Sequence, residues 1–189
     1  MAYYLNLFSP ETYEIFSRSN KEISGFRQRQ LNAAKRIHIG DKLVCYMTKF
    51  SRWIGLLEVM SESFKDESPL YYEADDPYVI RFRVLPSIWL PKDKTIPMRD
   101  ERVWHELSFT RDYDIDYPYW TGKFRNSLNQ LSEQDGRFLE QFMHSQQQDG
   151  EIFAVDDPYT GEKITDVFAV DESGFAEVAA AAEKGAKEM

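Results

Sequence analysis

The chain has 189 residues, enough for one sizeable core with an appendage, and its 42% hydrophobic and 29% charged content is ordinary for a globular protein. Its aromatic share, 15%, is high, and no apolar run approaches the roughly 20 residues of a membrane helix, which excludes a membrane partner of that kind and predicts a cytoplasmic protein. A formal net charge of -9 argues at first sight against nucleic acid, and a single cysteine excludes an internal disulfide.

Tyr3 to Phe8 alternates Tyr3, Leu5 and Leu7 against Tyr4, Asn6 and Phe8 and predicts a first strand. Ser9-Pro10-Glu11 then supplies an N-cap, a proline at the first helical position and an early acid, so a short helix should run to about Arg18. Ser24-Gly25 breaks the chain before Phe26 to Ile37, which reads as a basic helix ended by Gly40-Asp41. Residues 18 to 52 hold nine Lys or Arg against Glu22 and Asp41, an electrostatic footprint suited to a phosphate backbone, although a solvated helix face would give the same count.

Lys42 to Met60 predicts a β-hairpin, with strands Leu43–Met47 and Ile54–Val59 around the polar turn Thr48 to Arg52, which delivers Trp53 to the hairpin mouth. Trp53 is either a cap on the core or, beside Lys49 and Arg52, a stacking surface with phosphate-attracting charge around it. Taken alone, the residues favour the cap. Cys45 lies mid-strand and reads as a structural thiol.

After an acidic connection, Ser61 to Asp76, the next strand is Tyr78 to Leu85, with Arg81 and Arg83 on a solvated face and Pro86 as its stop. A short helix is predicted near Asp100 to Leu107. Phe109 to Trp120 alternates acids and aromatics as a loop, Gly122 to Leu128 reads as a short strand into a turn, and Ser132-Glu133-Gln134-Asp135 opens a helix that buries Phe138, Leu139, Phe142 and Met143. Gln146 to Gly150 is the predicted linker, which places a domain at 1–145 and an appendage at 146–189. The appendage carries 11 acidic and 3 basic residues, so nearly all of the net charge belongs to it. It contains a near-repeat, Ile152 to Asp157 and Val167 to Glu172, suggestive of a hairpin, and an alanine-rich helix candidate at Glu177 to Lys187.

Catalytic chemistry finds little support. The carboxylates of Asp112, Asp114 and Asp116 have no accompanying histidine and no spacing that fixes a metal or an acid–base pair, and neither phosphate-cradling glycine motif occurs. His38, His105 and His144 with Cys45 offer no zinc-ligand spacing, so no metal, cofactor or catalytic residue is expected.

The order of elements, together with Tyr3 to Ser9, Ser24-Gly25-Phe26-Arg27, Ile39-Gly40-Asp41-Lys42 running into the third strand, Gly55-Leu56-Leu57-Glu58-Val59, and Phe124 to Leu128 followed by Ser132 to Asp135, resembles the EVE domain. That family belongs to the PUA-like superfamily and is related to the YTH readers of methylated adenine. The resemblance covers residues 1 to about 145 and leaves the tail outside. It implies an α+β fold, a small curved β-barrel flanked by helices, with a pocket that accepts one flipped-out modified base of DNA or RNA, methylated or hydroxymethylated cytosine or methylated adenine.

Carried over by position, the resemblance places Asn6, Ser9, Gly25, Phe26, Tyr46, Trp53, Trp120, Asn126 and Ser127 at the pocket walls. Arg27, Arg29, Arg52 and Arg125, with forked guanidiniums suited to phosphate, and Lys49 are the candidates to hold the flanking phosphates. Aromatic walls would recover the stacking lost by the flipped base, and neutral polar groups would select its edge. The alternatives are general RNA binding without modification specificity, and an adaptor whose protein partner binds the acidic tail.

Overall fold

The computed structural model describes residues 1–148 and the backbone of two later strands, 152–156 and 163–168. The chain divides into two compact units, Met1–Met143 and His144–Met189.

β1, Tyr3–Phe8, forms as its alternation predicts. Tyr4 and Phe8 enter one core cluster, while Tyr3 and Leu5 enter another on the opposite face of the sheet. α1, Pro10–Arg18, starts on Ser9, whose hydroxyl accepts from the Thr12 amide at 3.1 Å in a reciprocal capping box. Such a cap contributes about 1 kcal/mol. Tyr13 and Phe16, three residues apart, are its buried face.

The predicted basic helix is a correction. Ile23–Phe26 is a strand, β2, followed by a single 3₁₀ turn at Gln28–Gln30 and one turn of helix, α2, Leu31–Ala34. Tertiary pairing takes Phe26 out of the predicted helix, since β2 lies antiparallel against the later strand Ile80–Trp89, β6, with Gly25 opposite Arg81 and Phe26 opposite Ile80. A propensity reading of Phe26 to Ile37 has no access to that partner.

The hairpin forms from β3, Lys42–Met47, and β4, Arg52–Val59. β3 also pairs in parallel with β1, from Tyr3 opposite Lys42 to Phe8 opposite Met47. Between β1 and β3, Asp41 accepts from the Ala2 amide at 2.7 Å and the His38 amide at 3.0 Å, so the Gly40-Asp41 turn staples the start of the chain to the hairpin. Gly40 has φ of 88°, the left-handed region where glycine is unstrained.

β5, Phe64–Lys65, and β6, Ile80–Trp89, follow. β6 runs through Pro86 because the register against β4 shifts between Leu56 and Leu57, and this bulge absorbs a residue that cannot donate to the ladder. Arg81, predicted to face solvent, is 4% exposed and pairs with Asp66 at 2.8 Å. Arg83 is exposed as expected. β7, Ile96–Pro97, α3, Glu101–Trp104, and β8, Gln130–Leu131, complete the sheet region. The predicted short strand at Gly122 to Leu128 is mostly 3₁₀ helix, Pro118–Arg125.

The sheet order is β2-β6-β4-β3-β1-β8, a curled half-barrel of mixed sheet, and the α+β architecture agrees with the expectation from sequence. One face packs against α1 and α2 and holds Phe8, Phe26 and Phe82; the other holds Trp53, Trp104 and the apolar stripe of α4, Glu133–Gln148. α4 is the helix predicted from Ser132, and it continues through the first three residues of the predicted linker. In the second unit, β9, Ile152–Asp156, pairs antiparallel with β10, Lys163–Phe168, so the first repeat copy lies in a strand, as do Val167 and Phe168 of the second; the rest of the second copy lies outside the described residues. The candidate helix at Glu177 to Lys187 lies outside the described residues.

Candidate nucleic-acid interface

The parallel strands β1 and β3 end side by side, and the Thr48 amide donates to the Phe8 carbonyl at 2.8 Å. Beyond these ends opens a cavity of about 150 Å³. At roughly 30 Å³ per water this holds about five waters, the scale of one planar ring system and well below the space a drug-sized ligand fills.

Three segments close around it. The segment after Phe124 runs beside β1: Leu7 donates its amide to Ser127 Oγ at 3.1 Å, and Leu128 donates to the Leu5 carbonyl at 2.6 Å. That pairing brings Arg125, Asn126 and Ser127 to the cavity. From the other side come Gly25, Phe26, Arg27, Arg29 and Gln30, from the end of β2 and its 3₁₀ turn. Tyr78, just before β6, supplies a third wall.

Tyr78 is held from several directions. The Arg27 guanidinium lies over its ring, 4.5 Å from the centroid, and donates to its hydroxyl at 3.2 Å. Tyr71 meets the ring edge-on at 4.9 Å, and the Tyr72 hydroxyl lies 3.2 Å from the Tyr78 hydroxyl. Buried Arg81 donates from Nε to the Tyr78 carbonyl at 3.2 Å. Burial, with the Tyr72 hydrogen bond, pushes the Tyr78 phenol up to about 12. Gly25 makes this approach possible, since a Cβ there would come within 2.3 Å of Leu70 Cδ2 and 3.1 Å of Tyr78 Cβ. Its amide instead donates to the Tyr71 hydroxyl at 3.3 Å.

The lining carries Arg27, Arg29 and Arg125 and no carboxylate, so the cavity mouth favours an anion. Arg27 shares its charge with Asp76 at 3.4 Å, whereas Arg29 and Arg125 are exposed. Among the neutral groups, Ser9 is committed to its helix cap and Gln30 accepts from the Arg27 amide at 3.1 Å. Ser127 accepts the Leu7 amide and retains a hydroxyl proton to donate, and exposed Asn126 offers both donor and acceptor.

The structure therefore brings Ser9, Gly25, Phe26, Asn126, Ser127, Arg27, Arg29 and Arg125 to one cavity and separates the remaining sequence candidates from it. Trp53 is fully buried within β4 and packs edge-on against Tyr46 at 5.0 Å and Phe124 at 5.6 Å. Strand alternation sends both Trp53 and Tyr46 to the face opposite the cavity. Trp120 packs edge-on against Trp104 and Phe124 in the same cluster, at 5.9 Å and 5.4 Å. Asn6 is 3% exposed, spends its amide on Ser24 Oγ at 2.8 Å and does not line the cavity. Lys49 is exposed at the hairpin tip, and Arg52 is anchored to the Thr95 carbonyl at 2.6 Å.

Tyr78, Phe8, Thr48 and Gln30 line the cavity without having been singled out from sequence. Of these, Tyr78 left a signal, as the head of the predicted strand Tyr78 to Leu85 shortly after Tyr71-Tyr72 in the acidic connection. Cys45 is fully buried with Sγ 3.6 Å from the Leu43 carbonyl, and burial pushes its thiol well above the usual range, so it packs as a neutral side chain. Among the described residues no group of three His, Cys, Asp or Glu side chains is arranged to hold a metal, and no helix is long and apolar enough to cross a membrane.

No family model matches the sequence. A UPF0310 protein of Pyrococcus abyssi (strain GE5 / Orsay) is 25% identical over 154 residues, covering 76% of this chain and 100% of that protein. Among solved structures, the Pho92 YTH domain in complex with m6A is similar with a TM-score of 0.56 at 16% identity, over 80% of this chain and 87% of that one. The YTH domain of the Zygosaccharomyces rouxii MRB1 protein, in complex with N6-methyladenosine RNA, gives 0.52 at 12% identity, over 75% and 86%. The fold is therefore YTH-like, in keeping with the fold that the sequence resemblance implies.

Proposed function

We propose that this protein is a non-catalytic reader of a single modified base, flipped from an unpaired or opened nucleic-acid strand into the cavity between β1, β2 and Tyr78. The observation that carries this reading is the convergence of aromatic walls, three guanidiniums and neutral polar side chains on a space of single-base size. Tyr78 supplies ring surface for stacking, backed by Phe26, which is 2% exposed, and this recovers part of the unstacking cost of a few kcal/mol. Stacking is indifferent to base identity, so selection falls to Asn126 and the Ser127 hydroxyl on the polar edge. A methyl group would be read by shape against Phe8 and Phe26. Arg29 and Arg125, at the mouth, hold flanking phosphates.

Two similar folds are described in complex with m6A and with N6-methyladenosine RNA. Methylated adenine is therefore the first ligand to try here, with methylated and hydroxymethylated cytosine beside it. The acidic tail has no part in this reading.

The test is a titration at fixed moderate salt of short DNA and RNA oligonucleotides differing only in one central base, against the parent and Tyr78→Ala. The expected result is a preference for one modified base that Tyr78→Ala weakens strongly. Binding indifferent to modification in the parent would overturn the reading.

A further inference from the structure

A second cavity, of about 430 Å³, lies on the other side of the Ser9-Pro10 and Met47-Thr48 steps: Ser9 and Thr48 line the first cavity, Pro10 and Met47 the second. The walls of the two spaces thus meet at two chain steps, Ser9-Pro10 and Met47-Thr48, across each of which consecutive Cα atoms are about 3.8 Å apart. The second cavity is floored by Tyr13 and Met47, both buried, and rimmed by Phe50, Arg52 and Lys92.

Phe50 stands at the tip of the β3–β4 hairpin and is 63% exposed, an unusual position for a phenylalanine. The backbone holds it there under strain. Lys49 and Ser51, on either side of it, have φ of 66° and 51°, the left-handed region that side chains other than glycine and asparagine rarely adopt. The Phe50 amide donates to the Thr48 carbonyl at 2.8 Å, and an i to i+2 bond around a residue of positive φ marks the rare γ-turn. Strain of this kind persists where surrounding structure enforces it, and it gathers at binding sites.

The charge around the cavity is cationic on balance. Arg52 is anchored through Nη1 to the carbonyl and hydroxyl of Thr95, at 2.6 Å and 3.2 Å, and Lys49 is exposed on the tip beside Phe50. Lys92 is paired with Glu14, the one carboxylate in the lining. Apolar floor, exposed aromatic and a rim of net positive charge together match a nucleotide rather than an apolar peptide.

We propose that this cavity is a second nucleotide subsite, which takes the nucleotide adjacent to the flipped base, stacks its ring on Phe50 and draws its phosphate to Arg52 and Lys49. The subsite is sequence-tolerant, because stacking reads no base edge. It rests on the reading of the first cavity as the modified-base pocket, and it makes the protein a reader of a short strand rather than of an isolated base.

The experiment compares the full chain, Phe50→Ala and Phe50→Trp in titrations with a mononucleotide carrying the modified base and with trinucleotides, ribo and deoxy, carrying it centrally or lacking the modification. The expected result is that Phe50→Ala weakens the trinucleotides by about fivefold or more, the scale of one lost base–aromatic stack. The mononucleotide affinity and the ratio of modified to unmodified binding stay as in the parent, and Phe50→Trp binds at least as well as the parent. Trinucleotide affinity unchanged in Phe50→Ala, with modification preference intact, overturns the second subsite alone. A parent indifferent to modification whose trinucleotide binding still falls with Phe50→Ala overturns the base-pocket reading and keeps the stacking site. No binding of any oligonucleotide overturns both.

Discussion

The Arg27 guanidinium both covers the ring of Tyr78, 4.5 Å from its centroid, and donates to its hydroxyl at 3.2 Å. One arginine therefore sets the orientation of the one cavity-lining tyrosine, and the buried Arg81 fixes the backbone on which that tyrosine stands. The consequence is a wall that is rigid before any ligand arrives.

Removing that wall should cost the stack and leave the fold. Tyr78→Ala is expected to weaken the preferred oligonucleotide by about 5- to 150-fold, the range of a base–aromatic stack. Tyr78→Phe keeps the ring and should retain most of the affinity. Fluorescence anisotropy reads both; an alanine variant that binds like the parent would remove Tyr78 from the site.

The exposed arginines should behave differently. Arg29→Ala and Arg125→Ala each remove one phosphate contact, which carries no base information. Each is expected to lower affinity for modified and unmodified oligonucleotides by the same factor and to reduce the slope of log K against log salt by about 0.7 on a single strand. Titrations at several salt concentrations measure the slope, and a selective loss of the modified ligand would place that arginine on the base instead.

How much of this was legible in the sequence follows from range. β1, α1 and the β3–β4 hairpin carry their signals locally, in alternation, in Ser9-Pro10 and in Gly40-Asp41, and they form where predicted. β2 hid inside a basic stretch because its partner β6 is more than 50 residues away in the chain. At the cavity, the arginines and the Asn126-Ser127 pair stood out by residue type and position. Trp53 stood out for the wrong reason: a register shift between Cys45 and Tyr46 leaves it directly opposite Tyr46 on the buried face, and no count of residues from the turn reveals a bulge. Tyr78 was overlooked because its role depends on Arg27, Tyr71 and Tyr72 converging on it through space.

Trp53 itself gives a test of core against pocket. It is fully buried, and its Nε1 is a buried polar atom without a hydrogen-bond partner among the described residues. Trp53→Ala should destabilise the protein by about 3–5 kcal/mol through the cavity it leaves. Trp53→Phe loses less packing and also removes the unpaired donor, so it should cost less than about 2 kcal/mol and leave base preference intact. Denaturant unfolding with the oligonucleotide panel decides it; a well-folded Trp53→Phe that loses base preference would return Trp53 to the site.

A close approach on the opposite face predicts a different failure. The ring of Tyr3 lies against Gly136 of α4, where an added Cβ would stand 2.1 Å from Tyr3 Cγ. Gly136→Ala raises helix propensity by up to about 1 kcal/mol, yet the clash must displace a ring whose hydroxyl is bonded to Glu140 at 2.6 Å. Overpacking of about 1–3 kcal/mol should prevail, and the melting temperature should fall. A rise would show that α4 shifts freely over β1.

Alkaline stability tests the burial of Tyr46. Its phenol is pushed from an ordinary 10.0 up to about 12 because burial disfavours the phenolate, an effect that the Ser51 hydrogen bond only partly opposes. The folded chain therefore holds this proton more tightly than the unfolded chain. Below pH 10 both states are protonated and the contribution is fully present; between pH 10 and about 12 only the unfolded state ionises, and stability falls as pH rises. By pH 11 the loss from this one group is about 1.4 kcal/mol. Tyr46→Phe has no proton to lose, so its stability relative to the parent should improve by about that amount between pH 8 and pH 11, whatever its standing at neutral pH. Urea unfolding of the two proteins across that range measures the difference directly, and a gap that stays constant with pH would mean that the Tyr46 hydroxyl reaches water in the folded state.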